Sequence, residues 1–248
     1  MNAFWLALRF LTILPLGRTK AFDSETVAAA GKYYPLVGLI FGGLVWSFFQ
    51  GIVYIFPLPV SVGLVILFWV VLSGALHLDG LGDCLDGLYG GNSPEERLAI
   101  MKDVHLGTMG MVGLILILGC KFLALKEILS GPSLGLWIIL IPAVSRWTSI
   151  MLAFIFPYAR PGGGLGQALV QGTGKKELFW ATLLAWGPIL GLGQLLGLGL
   201  IAVVSLWSLG CGWYFLKKIG GITGDVFGAV IETSEVWAML YLLGVTSL

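Results

Sequence analysis

Long apolar windows occupy most of this 248-residue chain. A transmembrane helix needs roughly 20 consecutive apolar residues, because in lipid the backbone must satisfy its own hydrogen bonds. Windows of about this length lie at residues 34–56, 58–76, 106–125, 132–157 and 226–248, and the stretch 178–216 is long enough for two spans joined near Gly197. The opening stretch 3–16 is short for a crossing and could be tilted or interfacial. We therefore predict an all-α, polytopic membrane helix bundle with about seven or eight apolar helices.

The composition agrees with a membrane protein. The chain is 58% apolar and 11% charged, whereas soluble domains average about 45–50% and about 25%. We expect residues 1–248 to form a single integral-membrane domain, whose first segment is retained because Arg9 interrupts it and no small-residue cleavage site follows. The net charge of +1 and the lack of a basic run give no support for nucleic-acid binding. The three isolated cysteines give none for a disulfide framework. The many glycines suit close helix packing, within one chain or in a homo-oligomer.

The basic residues indicate the orientation of the bundle. If the windows are simple crossings, the connections at 17–33, 77–105, 158–177 and 217–225 share one side. Ten of the 14 Lys and Arg residues lie there: Arg18, Lys20, Lys32, Arg97, Lys102, Arg160, Lys175, Lys176, Lys217 and Lys218. Because cytoplasmic loops retain excess Lys and Arg, we predict that this side faces the cytoplasm.

Three aspartates in the connection 77–105 are the residues that most clearly indicate a chemical function. Asp79, Asp83 and Asp86 are spaced i, i+4 and i+7, so on a helix they point the same way. Three anions on one face repel unless a cation lies between them, and their hard oxygen ligands suit Mg²⁺. A solvated helix face is the alternative, but such a face would usually carry lysines at i+4, and this one has none. The pattern therefore predicts a metal site.

The same connection contains a second helical arm. Ser93, Pro94 and Glu96 form a helix-start pattern with Ser at the N-cap. We expect a short helix to run on toward His105 and to form a cytoplasmic hairpin with the aspartate helix. This second arm can bring three charged side chains close to the aspartates: Arg97, Lys102 and Asp103. His77 and His105 are candidates for metal or substrate binding, with an interfacial position as the alternative.

A second acidic element lies near the end of the chain. Asp225 and Glu232 are two helical turns apart on one stripe of an apolar segment, with Glu235 about 60° away from it. Asp225 could be a helix N-cap, but an ionisable group as deep as Glu232 needs a polar partner, for which the aspartates and their metal are the natural candidate. Arg146 lies in the middle of another apolar window, where it must pair or meet water, and its candidate partners are an acid and a substrate phosphate.

Carboxylates that bind Mg²⁺ close to basic residues suit phosphoryl transfer or the departure of a diphosphate. The residues alone therefore indicate an Mg²⁺-dependent transferase that acts on a phosphorylated substrate at the cytoplasmic face. Two alternatives stay open. A membrane prenyltransferase also binds Mg²⁺-diphosphate through helical aspartates, although it has two equivalent aspartate-rich hairpins. A cation or proton transporter would distribute its acids across the bilayer, whereas these crowd one face.

Six stretches of the sequence resemble the cobalamin synthase family, the adenosylcobinamide-GDP ribazoletransferases. They are residues 76–88 (LHLDGLGDCLDGL), 100–103 with 107–110 (IMKD and GTMG), 10–15 (FLTILP), 33–38 (YYPLVG) and 221–229 (GITGDVFGA). The resemblance thus extends over the whole chain. His105 departs from the family pattern, in which we expect Arg, and Cys84 stands where a small polar residue or Ala is more usual.

The resemblance implies a reaction and its participants. A ribose hydroxyl of α-ribazole, or of its 5′-phosphate, would attack the cobinamide-bearing phosphorus of adenosylcobinamide-GDP, and GMP would leave. This step is the last assembly of the nucleotide loop of vitamin B12. The resemblance also implies Mg²⁺ and an inner-membrane location. It assigns the metal and diphosphate group to four residues of the first motifs, Asp79, Asp83, Asp86 and Asp103, together with Asp225 of the last.

Overall fold

The computed structural model describes residues 3–15, 24–131, 134–160, 162 and 164–246, so Arg18 and Lys20 lie outside the described residues. The helices are α1 (Ala3–Leu11), α2 (Ser24–Gly31), α3 (Tyr34–Ile52), α4 (Leu58–Ser73), α5 (Leu76–Gly90), α6 (Pro94–Ile100), α7 (Thr108–Ser130), α8 (Trp137–Ile155), α9 (Leu165–Gly172), α10 (Lys175–Ile219) and α11 (Gly224–Thr246). Over these ranges the only β-pairing is a single bridge between Tyr158 and Ile222. The predicted all-α bundle is confirmed.

Helix α8 runs through the middle of the bundle, and α3, α10 and α11 pack around it. Almost every residue of α8 is buried. Gly38 and Gly42 of α3 lie directly against its backbone. An alanine Cβ at these two positions would be 2.4 Å from the carbonyl oxygen of Pro142 and 2.5 Å from that of Ile139. Small residues four apart thus allow α3 and α8 to approach closely, as is common between membrane helices.

The number of spanning helices is lower than expected. Five described helices are long and apolar enough to cross a membrane, namely α3, α7, α8, α10 and α11, and a sixth span results if the bent pair α4–α5 is counted as one. This count is below the expected seven or eight, because α1 has only nine residues, α4 and α5 qualify only together, and the broken helix α10 is counted once.

Helix α10 is counted once although it is broken. Its backbone leaves the helical region at Gln194, where φ is 37° and ψ is −106°. A Cβ at Gly197 would lie 2.7 Å from the carbonyl oxygen of Ile189. Two residues eight apart in a straight helix would be separated by about 12 Å along its axis, so the two halves fold back on each other. The break agrees with the predicted junction near Gly197.

A sharp bend lays the aspartate-bearing helix across the end of the bundle. Helix α5 leaves α4 at 87°, because Gly74 and Ala75 both adopt left-handed backbone angles, with φ of 60° and 55°. Glycine adopts such angles at no steric cost. The bend places α5 against α7 and α11.

Helix α6 begins as predicted but ends early. The Ser93 side chain accepts a hydrogen bond of 3.2 Å from the Glu96 backbone N–H, which confirms the N-cap. The Glu96 carboxylate accepts one of 2.8 Å from the Asn92 backbone N–H. The helix ends at Ile100, whereas we expected it to run toward His105.

The polar connections meet at one end of the bundle, which we call the polar end. The Arg97 guanidinium of α6 donates to the Lys218 carbonyl at the C-terminus of α10, over 3.3 Å. A surface cavity is lined by Glu25 and Lys32 from the 24–33 region and by Lys176 at the start of α10. The described parts of the connections 17–33, 77–105, 158–177 and 217–225 therefore share one side, as predicted.

Candidate active site

The site lies at the polar end, where α5 crosses α11. The two backbones touch at a pair of glycines. An alanine Cβ at Gly80 would lie 2.7 Å from the Asp225 carbonyl oxygen, and one at Gly228 would lie 3.0 Å from that of His77. This crossing brings Asp225 to the aspartates of α5, although about 140 residues separate them in the sequence. The expectation that acids from two distant parts of the chain meet is confirmed.

Three carboxylates belong to this meeting point. Asp79 and Asp225 line the same cavity. Both repel the Asp83 carboxylate electrostatically, and Arg160 attracts it. Asp79 is exposed, whereas Asp83 and Asp225 are half-buried. We refer to Asp79, Asp83 and Asp225 as the aspartate cluster. The three carboxylates carry more negative charge than the single guanidinium of Arg160 can neutralise. The cluster therefore attracts further positive charge.

Asp225 is free of the capping role that its position allowed. Thr223 caps α11 instead, because its hydroxyl accepts a hydrogen bond of 3.3 Å from the Val226 backbone N–H. The same hydroxyl lies 3.3 Å from Asp225 Oδ2 and donates to it. Thr223 therefore fills the capping role, and the Asp225 carboxylate is available to the cation of the cluster.

Arg160 is that cation, and the sequence analysis did not include it among the site residues. Its Nη2 lies 2.6 Å from Asp225 Oδ2 and donates to the Met101 carbonyl over 3.2 Å. It thus links the chain after α6 to the start of α11. The only sequence signal was a basic residue just before the glycines at 162–164, which by itself indicates a flexible turn.

A short backbone pairing positions Arg160. The Ala159 N–H donates to the Ile222 carbonyl and the Ile222 N–H donates to the Pro157 carbonyl, each over 2.9 Å. Tyr158 lies between these bonds, and burial raises the pKa of its phenol, with Arg160 opposing that rise. Tyr158 therefore stays protonated at neutral pH.

Asp86 has partners other than those expected of a metal ligand. Its Oδ2 accepts a hydrogen bond from the Gly107 N–H over 2.7 Å, and its Oδ1 accepts one from the Gly110 N–H over 2.8 Å. These amides belong to the N-terminus of α7, which favours a negative charge. A Cβ on either glycine would collide with the carboxylate, at 2.5 Å or less. Asp86 thus anchors α7 to α5, and this explains the two glycines.

Charged side chains of the hairpin's second arm have described contacts outside the aspartate cluster. Asp103 Oδ1 lies 2.7 Å from His105 Nδ1, and both side chains are exposed. This hydrogen bond holds the pKa of Asp103 below its usual value. Lys102 is exposed, and Arg97 is engaged with the end of α10. The described contacts of Arg97 and Asp103 are thus with other residues, and the expected return of Arg97, Lys102 or Asp103 to the aspartates stays a prediction.

Glu232 and Arg146 belong to a separate buried network. Lys121 Nζ lies 2.6 Å from Glu232 Oε2 and 2.7 Å from Glu235 Oε2, and all three side chains are at most 3% exposed. Arg146 donates to the other oxygen of Glu235. Arg146 thus meets an acid, one of its two expected alternatives. Lys121, which the sequence analysis left unassigned, supplies the partner of Glu232 instead of a metal.

A cavity of about 150 Å³ leads inward from the aspartate cluster. Apolar side chains from three helices, α1, α9 and α11, line most of it: Phe10, Leu11, Leu165, Leu169, Phe227 and Ile231. Two buried polar side chains, His77 and Ser149, also face it. Within the described residues, neither ring nitrogen of His77 nor the hydroxyl of Ser149 has a hydrogen-bond partner.

Metal coordination by the chain alone is incomplete. Among the described residues, no three His, Cys, Asp or Glu side chains form a group that could hold a metal ion. Mg²⁺ commonly takes only one or two protein carboxylates and completes its octahedron with water and substrate phosphates. The oxygen donors of the aspartate cluster fit such a site.

Comparison with known proteins extends over nearly the whole chain. A family model described as cobalamin-5-phosphate synthase matches residues 3–243. A relative from Pseudomonas putida, named adenosylcobinamide-GDP ribazoletransferase, is 40% identical over 247 residues, which cover 98% of each chain. Relatives of the same name from Clostridium kluyveri and Desulfitobacterium hafniense are each 36% identical and cover 98% of this chain and 96% of their own. No solved structure matches the chain.

Proposed function

Because the chain belongs to the cobalamin-5-phosphate synthase family, we propose that it transfers the cobinamide-phosphate group of adenosylcobinamide-GDP to α-ribazole or its 5′-phosphate. The single observation that carries this proposal is the aspartate cluster with Arg160 at the polar end, since a diphosphate substrate needs both a cation site and a basic residue. The products are GMP and adenosylcobalamin or its 5′-phosphate.

We assign Mg²⁺ to the aspartate cluster. One or two of Asp79, Asp83 and Asp225 would supply hard oxygen donors, and the diphosphate of the substrate would complete the coordination. When bound, the ion neutralises the diphosphate and favours the departure of GMP. Glu232 is left out of this ligand set because Lys121 already neutralises it. Asp86 is left out because both of its oxygens accept backbone hydrogen bonds.

The chain's own residues then act on the reacting atoms. A new P–O bond forms between the ribose oxygen and the cobinamide-side phosphorus, while the bond to the GMP oxygen breaks. The ribose proton passes to a carboxylate oxygen of the aspartate cluster that the ion leaves free. The Arg160 guanidinium donates to phosphate oxygens, as planar Arg donors do well. The exposed Lys102, Asp103 and His105 remain candidates for contact with the bulky cobinamide.

The polar end faces the cytoplasm in this proposal, and the protein lies in a prokaryotic plasma membrane. The charge distribution supports this orientation, because the described basic residues of the connections collect at the polar end. Both substrates are water-soluble and phosphorylated or glycosylated, so a site at the membrane surface reaches them without a path through the bilayer.

The decisive experiment measures GMP release by the purified full chain in lipid nanodiscs. We expect release only when adenosylcobinamide-GDP, α-ribazole and Mg²⁺ are all present, and loss of release with EDTA. Asp83→Asn and Asp225→Asn should each reduce turnover by about 10²-fold or more. Glu127→Gln is the matched control, because Glu127 is exposed and pairs only with the neighbouring Lys126 over 3.7 Å. Turnover at the wild-type rate in Asp83→Asn, or release that ignores α-ribazole, would overturn the proposal.

A further inference from the structure

The cavity below the aspartate cluster has a shape and lining that select a ligand class. Asp225 lies at the outer part of the cavity. Ile231 is six residues further along α11 and lies at the inner part. These positions are about 9 Å apart along the helix axis. A molecule in the cavity therefore has one end at the acids and the other end in apolar surroundings.

The size of the cavity excludes most parts of the two substrates. An apolar cavity of about 150 Å³ can take an aromatic ring, whereas a corrin macrocycle is several times too large. The guanine of the donor carries polar groups on most of its edges. Away from the carboxylates at its outer end and the Tyr34 hydroxyl, the described side chains with polar atoms in this cavity are His77 and Ser149. A guanine buried at the inner end would therefore leave several groups without hydrogen bonds, at a cost of about 1–3 kcal/mol each.

We infer that this cavity binds the heteroaromatic base of the acceptor nucleoside, with His77 and Ser149 as its hydrogen-bond partners and α9 as its cover. The inference depends on the proposed function, which makes the acceptor a nucleoside. A base with a largely apolar edge and a ring nitrogen fits this lining. Its apolar edge packs against the apolar side chains, and its ring nitrogen reaches the polar atoms of His77 and Ser149. A neutral imidazole offers one donor and one acceptor, and a serine hydroxyl offers both. With the base at the inner end, the ribose hydroxyls lie at the aspartate cluster, where the attack occurs.

Helix α9 supplies the side chain that best tests this assignment. Leu169 lines the cavity and is 3% exposed. Its neighbour Val170 packs against the core but does not line the cavity. Leu169→Ala enlarges the cavity, whereas Val170→Ala removes a comparable apolar group from the same helix.

The first experiment compares acceptor nucleosides with small and bulky bases. We expect Leu169→Ala to raise the ratio of kcat/KM for a bulkier base to that for α-ribazole by tenfold or more, and Val170→Ala to leave this ratio within twofold of wild type. A specificity change of this kind cannot come from partial unfolding. An unchanged ratio in Leu169→Ala would overturn the inference.

The second experiment separates acceptor from donor. Ser149→Ala should raise the KM for the acceptor about fivefold to tenfold while the KM for adenosylcobinamide-GDP stays within twofold. Thr148→Ala is the control, since that hydroxyl donates to the Ser145 carbonyl over 2.6 Å, within α8. A rise in the donor KM alone would assign the cavity to guanine and overturn the inference.

Calorimetry can measure the binding of α-ribazole to the full chain in the absence of the donor. This measurement distinguishes a failure of the proposed base site from a failure of the proposed reaction. Binding that weakens in Ser149→Ala but not in Thr148→Ala supports the base site even if no GMP is released, a result that would overturn only the proposed reaction. Turnover of the wild type together with unchanged acceptor binding in Ser149→Ala would overturn the base site and leave the reaction in place.

Discussion

The crossing of α5 and α11 gives the sharpest test of how this fold builds its site. Gly80 has no room for a side chain, since an alanine Cβ would lie 2.7 Å from the carbonyl oxygen and 2.9 Å from the Cα of Asp225. Non-bonded carbon atoms prefer about 3.5–4.0 Å. In Gly80→Ala the two helices must therefore separate by about 1 Å, and the aspartates of α5 move away from Asp225.

The magnitudes predict an unusual combination of effects. Overpacking costs about 1–3 kcal/mol, but replacing a glycine inside a helix by alanine returns about 1 kcal/mol. The net change in the free energy of unfolding should therefore be at most about 2 kcal/mol. A misplacement of 1 Å in a catalytic group can lower the rate by about 10²-fold. We expect Gly80→Ala to lose turnover by about 10²-fold while it stays folded.

Two further glycines of α11 provide a graded series. A Cβ at Gly228 would meet the His77 carbonyl oxygen at 3.0 Å, a milder conflict, whereas Gly244 has nothing within 4 Å. Turnover should fall most in Gly80→Ala, by about tenfold in Gly228→Ala and not at all in Gly244→Ala. The assay is GMP release in nanodiscs, together with thermal unfolding of each variant. Wild-type kcat/KM in Gly80→Ala, or an equal loss in Gly244→Ala, would refute the reasoning.

Three other predictions follow from individual contacts. Lys121→Met leaves two buried glutamates without their shared cation and should lower the free energy of unfolding by about 3–5 kcal/mol; thermal unfolding at the wild-type temperature would contradict this. Asp86→Ala removes the acceptor for two amides of α7 and should cost about 0.5–2 kcal/mol, with faster hydrogen exchange at the start of that helix as the direct readout. Arg160→Gln should reduce turnover by about 10²-fold, whereas Lys126→Gln, at an exposed pair, should not; equal rates in the two variants would remove Arg160 from the site.

Some features of the site were predictable because they depend on short-range spacing. The period of the helix places Asp79, Asp83 and Asp86 on one side of α5, whatever surrounds them. The N-cap at Ser93 is likewise local, because it needs only a hydroxyl three residues before a free N–H. The meeting of Asp79 with Asp225 followed from counting the spans, which put both residues at the same end.

Other features depend on partners that are distant in the sequence. Asp86 follows Asp83 by three residues on the same helix, yet its carboxylate meets the start of α7 and accepts hydrogen bonds from two amides there. Glu232 lies on the stripe of Asp225, but Lys121 of α7 neutralises it, a pairing that no periodicity within α11 reveals. The role of Arg160 depends on the backbone pairing of residues 157–159 with Ile222.

The sequence by itself determined that the chain is an α-helical membrane bundle with its polar connections at one end, because hydrophobic length and helical period act within a few turns. It also determined which acids could share a face. Only the tertiary structure decided which of them meet, through the 87° bend before α5 and the glycine contacts with α11. The physical reason is that a buried charge needs a partner close by. The packing of helices that are far apart in the chain determines which partner that is.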